Sequence, residues 1–96
     1  MIDSQLFTYY QQLWSNRTIP FDEGEEALAL VKAIESELLD EATHPRVRKT
    51  PWEKYCRAYN RVLKSDLPNK AQVFLVFKYE DVYLELKKRN WKPHEQ

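Results

Sequence analysis

Apolar residues return at three- and four-residue intervals in four stretches of the chain, the period of amphipathic helices rather than of strands. In the first stretch, from about Ser4 to Ser15, Leu6, Phe7, Tyr9, Tyr10, Leu13 and Trp14 fall on one side, and Ser4, Gln5, Thr8, Gln11, Gln12 and Ser15 on the other. Asp3 or Ser4 is placed to cap its start. A loop containing Pro20 follows over residues 16–21.

The second stretch is read from Asp22, where Asp22 and Glu25 have capping-box spacing, to about Thr43, with His44-Pro45 as its stop. Ala27, Val31, Ile34, Leu38 and Ala42 mark its inner stripe, and Leu28 and Leu39 widen it. The third has the clearest start in the sequence: Thr50 as N-cap, Pro51 at the first helical position and Glu53 at the third. From Pro51 to about Ser65, Trp52, Tyr55, Cys56, Tyr59, Val62 and Leu63 are expected to face inward, opposite a cationic stripe of Lys54, Arg57, Arg61 and Lys64.

Beyond Leu67-Pro68, residues 69–90 hold β-branched and aromatic residues that also suit a strand. Helix is favoured, because Leu75, Tyr79, Val82 and Leu86 keep 4, 3, 4 spacing and Glu80-Asp81 is a poor pair for the positive φ of a hairpin turn. The pattern therefore predicts an all-α, small four-helix bundle-like domain, and the alternative is three helices plus a short two-stranded element at 72–86. Residues 1–96 are expected to form one domain, with 91–96 a frayed tail. A single glycine, Gly24, agrees with few tight turns.

Charge adds a second layer. The formal net charge is zero, but residues 21–43 carry −7 and residues 44–64 carry +6. The cations of that second block are Lys54, Arg57, Arg61 and Lys64 with Arg46, Arg48 and Lys49 just before them, a candidate face for an anion or a partner. The acidic second helix competes with any external ligand for that face.

Little catalytic chemistry is encoded. Two histidines, His44 at a helix end and His94 in the tail, are badly placed to serve a nucleophile, and Cys56 reads as a small buried hydrophobe. No zinc spacing, calcium loop or glycine-rich phosphate loop is present, so no cofactor or metal is expected. Glu80 falls among Val76, Phe77, Tyr83 and Leu84 on a helical wheel, which makes it a candidate buried carboxylate.

With one cysteine, no basic-then-apolar leader and no apolar run long enough to span a bilayer, a reducing, cytoplasmic setting is expected. These features favour a non-enzymatic protein-protein interaction or regulatory module, with a homodimer expected from the broad apolar arc of the last helix. The alternative is a small nucleic-acid-binding accessory factor that uses the basic face of the third helix.

Overall fold

A computed structural model describes residues 2–14 and 19–89, so the expected tail at 91–96 and His94 lie outside the described residues. Among the described residues four α-helices form a bundle, α1 (Asp3–Leu13), α2 (Glu26–Leu38), α3 (Pro51–Lys64) and α4 (Asn69–Arg89), with a 3₁₀ turn at Pro45–Val47. Residues 72–86 are helical throughout, which removes the two-stranded alternative. Side-chain packing on the 4, 3, 4 row of Leu75, Tyr79, Val82 and Leu86 outweighs the β preference of Val73, Phe74 and Val76, a weak and context-dependent term.

The core is shared by all four helices. Leu6, Phe7 and Tyr10 of α1, Leu30, Ile34 and Leu38 of α2, Ala58 and Val62 of α3, and Leu75, Tyr79, Val82, Tyr83 and Leu86 of α4 make one cluster. Burial of each large apolar side chain contributes about 1.5–3 kcal/mol. The long α4 touches each of the other three helices, as its broad apolar arc requires.

Two helix starts differ from the sequence reading. At the first, α1 begins at Asp3 with Ile2 as N-cap and no side-chain cap. At the second, α2 begins only at Glu26, because Gly24 turns the chain at φ 84° and the Asp22 carbonyl takes the Glu25 N–H in a tight turn instead of a capping box.

The end of α2 also comes earlier than His44-Pro45. Asp40 adopts φ 55°, a left-handed conformation that usually falls to glycine. The Asp40 N–H bonds the Glu37 carbonyl at 3.0 Å and the Glu41 N–H bonds the Ser36 carbonyl at 3.1 Å, the paired closure of a Schellman motif. His44 instead opens the 3₁₀ turn, its Nδ1 accepting the Arg46 N–H at 3.1 Å.

The α2 stripe is correspondingly rotated. Leu30, Ile34 and Leu38 are buried, whereas Ala27, Leu28 and Ala42 are exposed. By contrast the start of α3 is as read: the Thr50 hydroxyl accepts the Glu53 N–H at 3.2 Å behind Pro51.

Candidate functional site

The inward line of α3 runs through Ala58 and Val62, not through the centre of its aromatic side. Ala58 sits within the cationic stripe at fourfold spacing from Lys54 and threefold from Arg61, and its lack of a long side chain lets that edge of α3 approach the bundle. The stripe is therefore split. Lys54 and Arg61 turn toward α2, while Arg57 and Lys64 remain exposed.

Arg61 meets Glu37. Its Nη1 lies 2.9 Å from Oε2 of the Glu37 carboxylate, whose side chain is only 7% exposed. The other carboxylate oxygen, Oε1, accepts the Tyr10 hydroxyl at 3.0 Å and the Tyr79 hydroxyl at 2.5 Å. One residue from each helix thus enters a single polar cluster inside the bundle. Three donors satisfy the carboxylate, as a buried charge demands. The Arg61 guanidinium also lies over the Trp14 ring, 4.2 Å from its centroid, a cation–π contact.

Burial pushes both phenols upward, aided by the negative charge of Glu37, so Tyr10 and Tyr79 stay protonated as donors well beyond the usual tyrosine range. The chemistry of the arrangement is that of a lock between helices.

Lys54 meets the second carboxylate, with Nζ 3.3 Å from Oδ1 of Asp40. Asp40 also accepts the Lys49 backbone N–H at 2.9 Å and the Thr43 hydroxyl at 2.9 Å. The Lys49 N–H, with the help of Thr43 and Lys54, holds the Asp40 carboxyl down at about 2. Arg48 is spent on the same turn, donating to the Thr43 carbonyl at 2.8 Å and the Glu41 carbonyl at 3.2 Å. Of the seven cations singled out in the sequence, Lys54, Arg61 and Arg48 are thus tied within the fold, and Arg46, Arg57 and Lys64 are exposed. Lys49 is partly covered.

Two other candidates are relocated. Glu80 is exposed, because the residues beside it on α4, Val73, Phe77 and Leu84, are themselves about half exposed. Cys56 is a free thiol of intermediate exposure rather than a buried one.

The aromatic side of α3 is not core either. Trp52, Tyr59 and Leu63 are 52%, 43% and 49% exposed, and on α4 Val73, Phe77 and Leu84 are 50%, 56% and 51% exposed. The two sets are joined by rings at the seam between the helices: Tyr55 stacks on Tyr83 at 5.3 Å and Trp52 approaches Tyr83 at 5.9 Å. Composition could not separate this face from core, since an apolar arc wider than its neighbours cover looks the same in sequence.

A cleft of about 550 Å³ opens on the other side of the bundle, lined by Tyr10 and Trp14 of α1, Ala29, Lys32, Ala33, Ser36 and Glu37 of α2, and the segments about Ile19 and Asp40. Sequence reading missed it. Glu37, seven positions after Leu30 and three after Ile34 in a helical apolar row, was the available signal. Among the described residues, no three His, Cys, Asp or Glu side chains gather as a metal site, and no helix is long and apolar enough to cross a membrane.

Comparison with known proteins gives a family. The chain is 40% identical over 74 residues to "Uncharacterized protein YoyC" of Bacillus subtilis (strain 168), and the alignment covers 77% of each chain. No solved structure matches. Since residues 1–94 match the YoyC family, the whole bundle described above lies within the match, and the chain belongs to that family.

Proposed function

We propose that this chain is a non-enzymatic, cytoplasmic protein-interaction module that pairs with a second copy of itself through the exposed apolar face of α3 and α4. The observation that carries this reading is the half-exposure of Trp52, Tyr59, Leu63, Val73, Phe77 and Leu84 on adjacent helices. Exposed apolar side chains grouped on neighbouring helices are where proteins dock.

The rim favours a second copy over a strongly charged partner. Exposed Glu53 and Asp81 accompany exposed Lys70 and Lys88 on the same two helices, so a two-fold arrangement can set acid against base across the interface. Nucleic acid is the weaker reading, because Lys54 and Arg61 are engaged by α2 and only Arg57 and Lys64 of the helical stripe remain available.

Light scattering and sedimentation test the proposal. The protein should be dimeric at about 100 μM, and the double variant Phe77→Glu, Leu84→Glu should be monomeric with unchanged helicity, since unpaired carboxylates buried in an apolar interface cost several kcal/mol. A monomeric mass for the unmodified chain at that concentration sinks the reading.

A further inference from the structure

The outer side of α4 carries a row that the four-helix core does not use. Val73, Phe77, Glu80, Leu84 and Lys87 follow one another at 4, 3, 4, 3 spacing, and all five are exposed, on the side of α4 turned away from buried Leu75 and Val82. This is the spacing of a seam that packs against another helix. Three members are apolar, and the other two are an acid and a base seven residues apart.

The two flanks of the row are unlike. On one side Val76 and Tyr83 lead to α3, where Tyr83 stacks on Tyr55 at 5.3 Å and lies 5.9 Å from Trp52. Glu80 borders this aromatic flank, and its negative charge adds to the rise that burial gives the Tyr55 phenol. On the other side stand Asp81 and Lys88, both exposed.

The unlike flanks and the two charges restrict how a second copy can lie on the row. In a parallel pair every position faces its own counterpart, so Glu80 meets Glu80 and Lys87 meets Lys87. The aromatic flank of each copy then also lies against the charged flank of the other. In an antiparallel pair like flanks meet, and aromatic side covers aromatic side. An antiparallel pair centred on the apolar members alone, between Phe77 and Glu80, still brings the two Glu80 carboxylates within a helical turn of each other. With the two-fold axis beside Leu84, midway between Glu80 and Lys87, each carboxylate instead faces the ammonium of the other copy. A carboxylate withdrawn from water needs such a partner.

We infer that two copies of this chain pair through antiparallel α4 helices, Glu80 of each copy meeting Lys87 of the other on either side of Leu84. This rests on the self-pairing proposed above and assigns its orientation and register. Charged members of an otherwise apolar seam set alignment and choice of partner more than they add affinity.

The test is charge exchange, read by sedimentation and native mass spectrometry, with helicity followed by circular dichroism. Both side chains are exposed in the single chain, so Glu80→Lys and Lys87→Glu should each leave the helices intact. Each should weaken the dimer about tenfold or more, because two like-charge contacts replace two ion pairs. Glu80→Lys and Lys87→Glu combined should restore it to nearly the unmodified affinity. The doubly exchanged chain and the unmodified chain should not form mixed dimers, since antiparallel contact sets acid against acid and base against base. A parallel pair predicts the reverse, preferential mixing. A monomeric unmodified chain removes the self-pairing and this register together. A dimer that tolerates the single changes, that the combined change fails to restore, or that mixes freely with the exchanged form overturns the antiparallel register alone.

Discussion

Tyr79 of α4 donates a 2.5 Å hydrogen bond to Glu37 of α2, a residue 42 positions earlier in the chain. The bond lies in the middle of the bundle and its phenol is 1% exposed, so water cannot replace it. Tyr79→Phe keeps the ring and its packing and removes only a hydrogen bond to a charged acceptor. It should cost about 1.5–3 kcal/mol in urea unfolding. Glu37→Gln should cost more, about 3 kcal/mol, because it leaves Arg61 without its counter-charge as well as weakening both phenol bonds. Since Tyr10 and Tyr79 share one oxygen, the double variant Tyr10→Phe, Tyr79→Phe should depart from additivity in a double-mutant cycle.

Arg57 and Arg61 stand one helical turn apart but have different roles. Arg61→Ala removes the partner of a carboxylate that is 7% exposed and uncovers one face of Trp14. A loss of about 2 kcal/mol is expected, reduced from the fully buried case because the Arg61 side chain is itself 32% exposed. Arg57→Ala, at an exposed position, should change stability by less than about 0.5 kcal/mol. Thermal melts of the two variants side by side decide the matter; equal losses would contradict the inward turn of Arg61.

Acid stability should depend on Asp40. Its carboxyl is lowered from 3.8 to about 2 in the folded chain, so the folded state holds fewer protons than the unfolded one between those values. The stability this group contributes is present above about pH 4 and is lost as pH falls toward 2. Asp40→Asn retains tolerance of the left-handed backbone and part of the hydrogen bonding, and should flatten that part of the acid curve. Asp40→Ala should be less stable than Asp40→Asn at neutral pH, because it loses the bonds to Lys49 and Thr43 and keeps the unfavourable φ.

At the alkaline end the sign reverses. Tyr10 and Tyr79 are raised above the ordinary value of 10.0 by burial and by Glu37, so the folded state retains protons that the unfolded chain gives up. Their contribution is complete below about pH 10 and declines above it. Phenolate absorbance should show these two tyrosines ionising only together with loss of helicity. Early ionisation with the helices intact would contradict the buried cluster.

The four helices were legible because their periodicity is strong and, for α3, because Thr50, Pro51 and Glu53 leave one reading for its start. The α2 boundaries were less so. An acid at fourfold spacing from Ser36 gives no sign that it will take a left-handed φ, and the Asp22 and Glu25 spacing suits either a cap or the turn that Gly24 makes. On α3 the faces were judged by the largest side chains, whereas orientation is decided by the smallest. Ala58 at the contact fixes which edge enters, and that draws Lys54 and Arg61 to α2 and leaves Trp52 and Leu63 outside. The opposing charge blocks were readable as competitors; which members pair was not, because pairing depends on that rotation.

The clasp at Asp40 has a practical consequence for chain length. Its carboxylate grips the Lys49 N–H, so the path of residues 41–48 between them begins and ends at fixed points whatever its middle does. His44, Pro45, Arg46 and Val47 are exposed at the apex. Residues added between Arg46 and Val47 interrupt the bond from the Val47 N–H to the His44 carbonyl but leave both anchor points in register, and the added loop length itself costs only about 0.6 kcal/mol per doubling. A short inserted epitope at that apex should therefore leave the four helices and their shared carboxylate undisturbed, giving the bundle a handle.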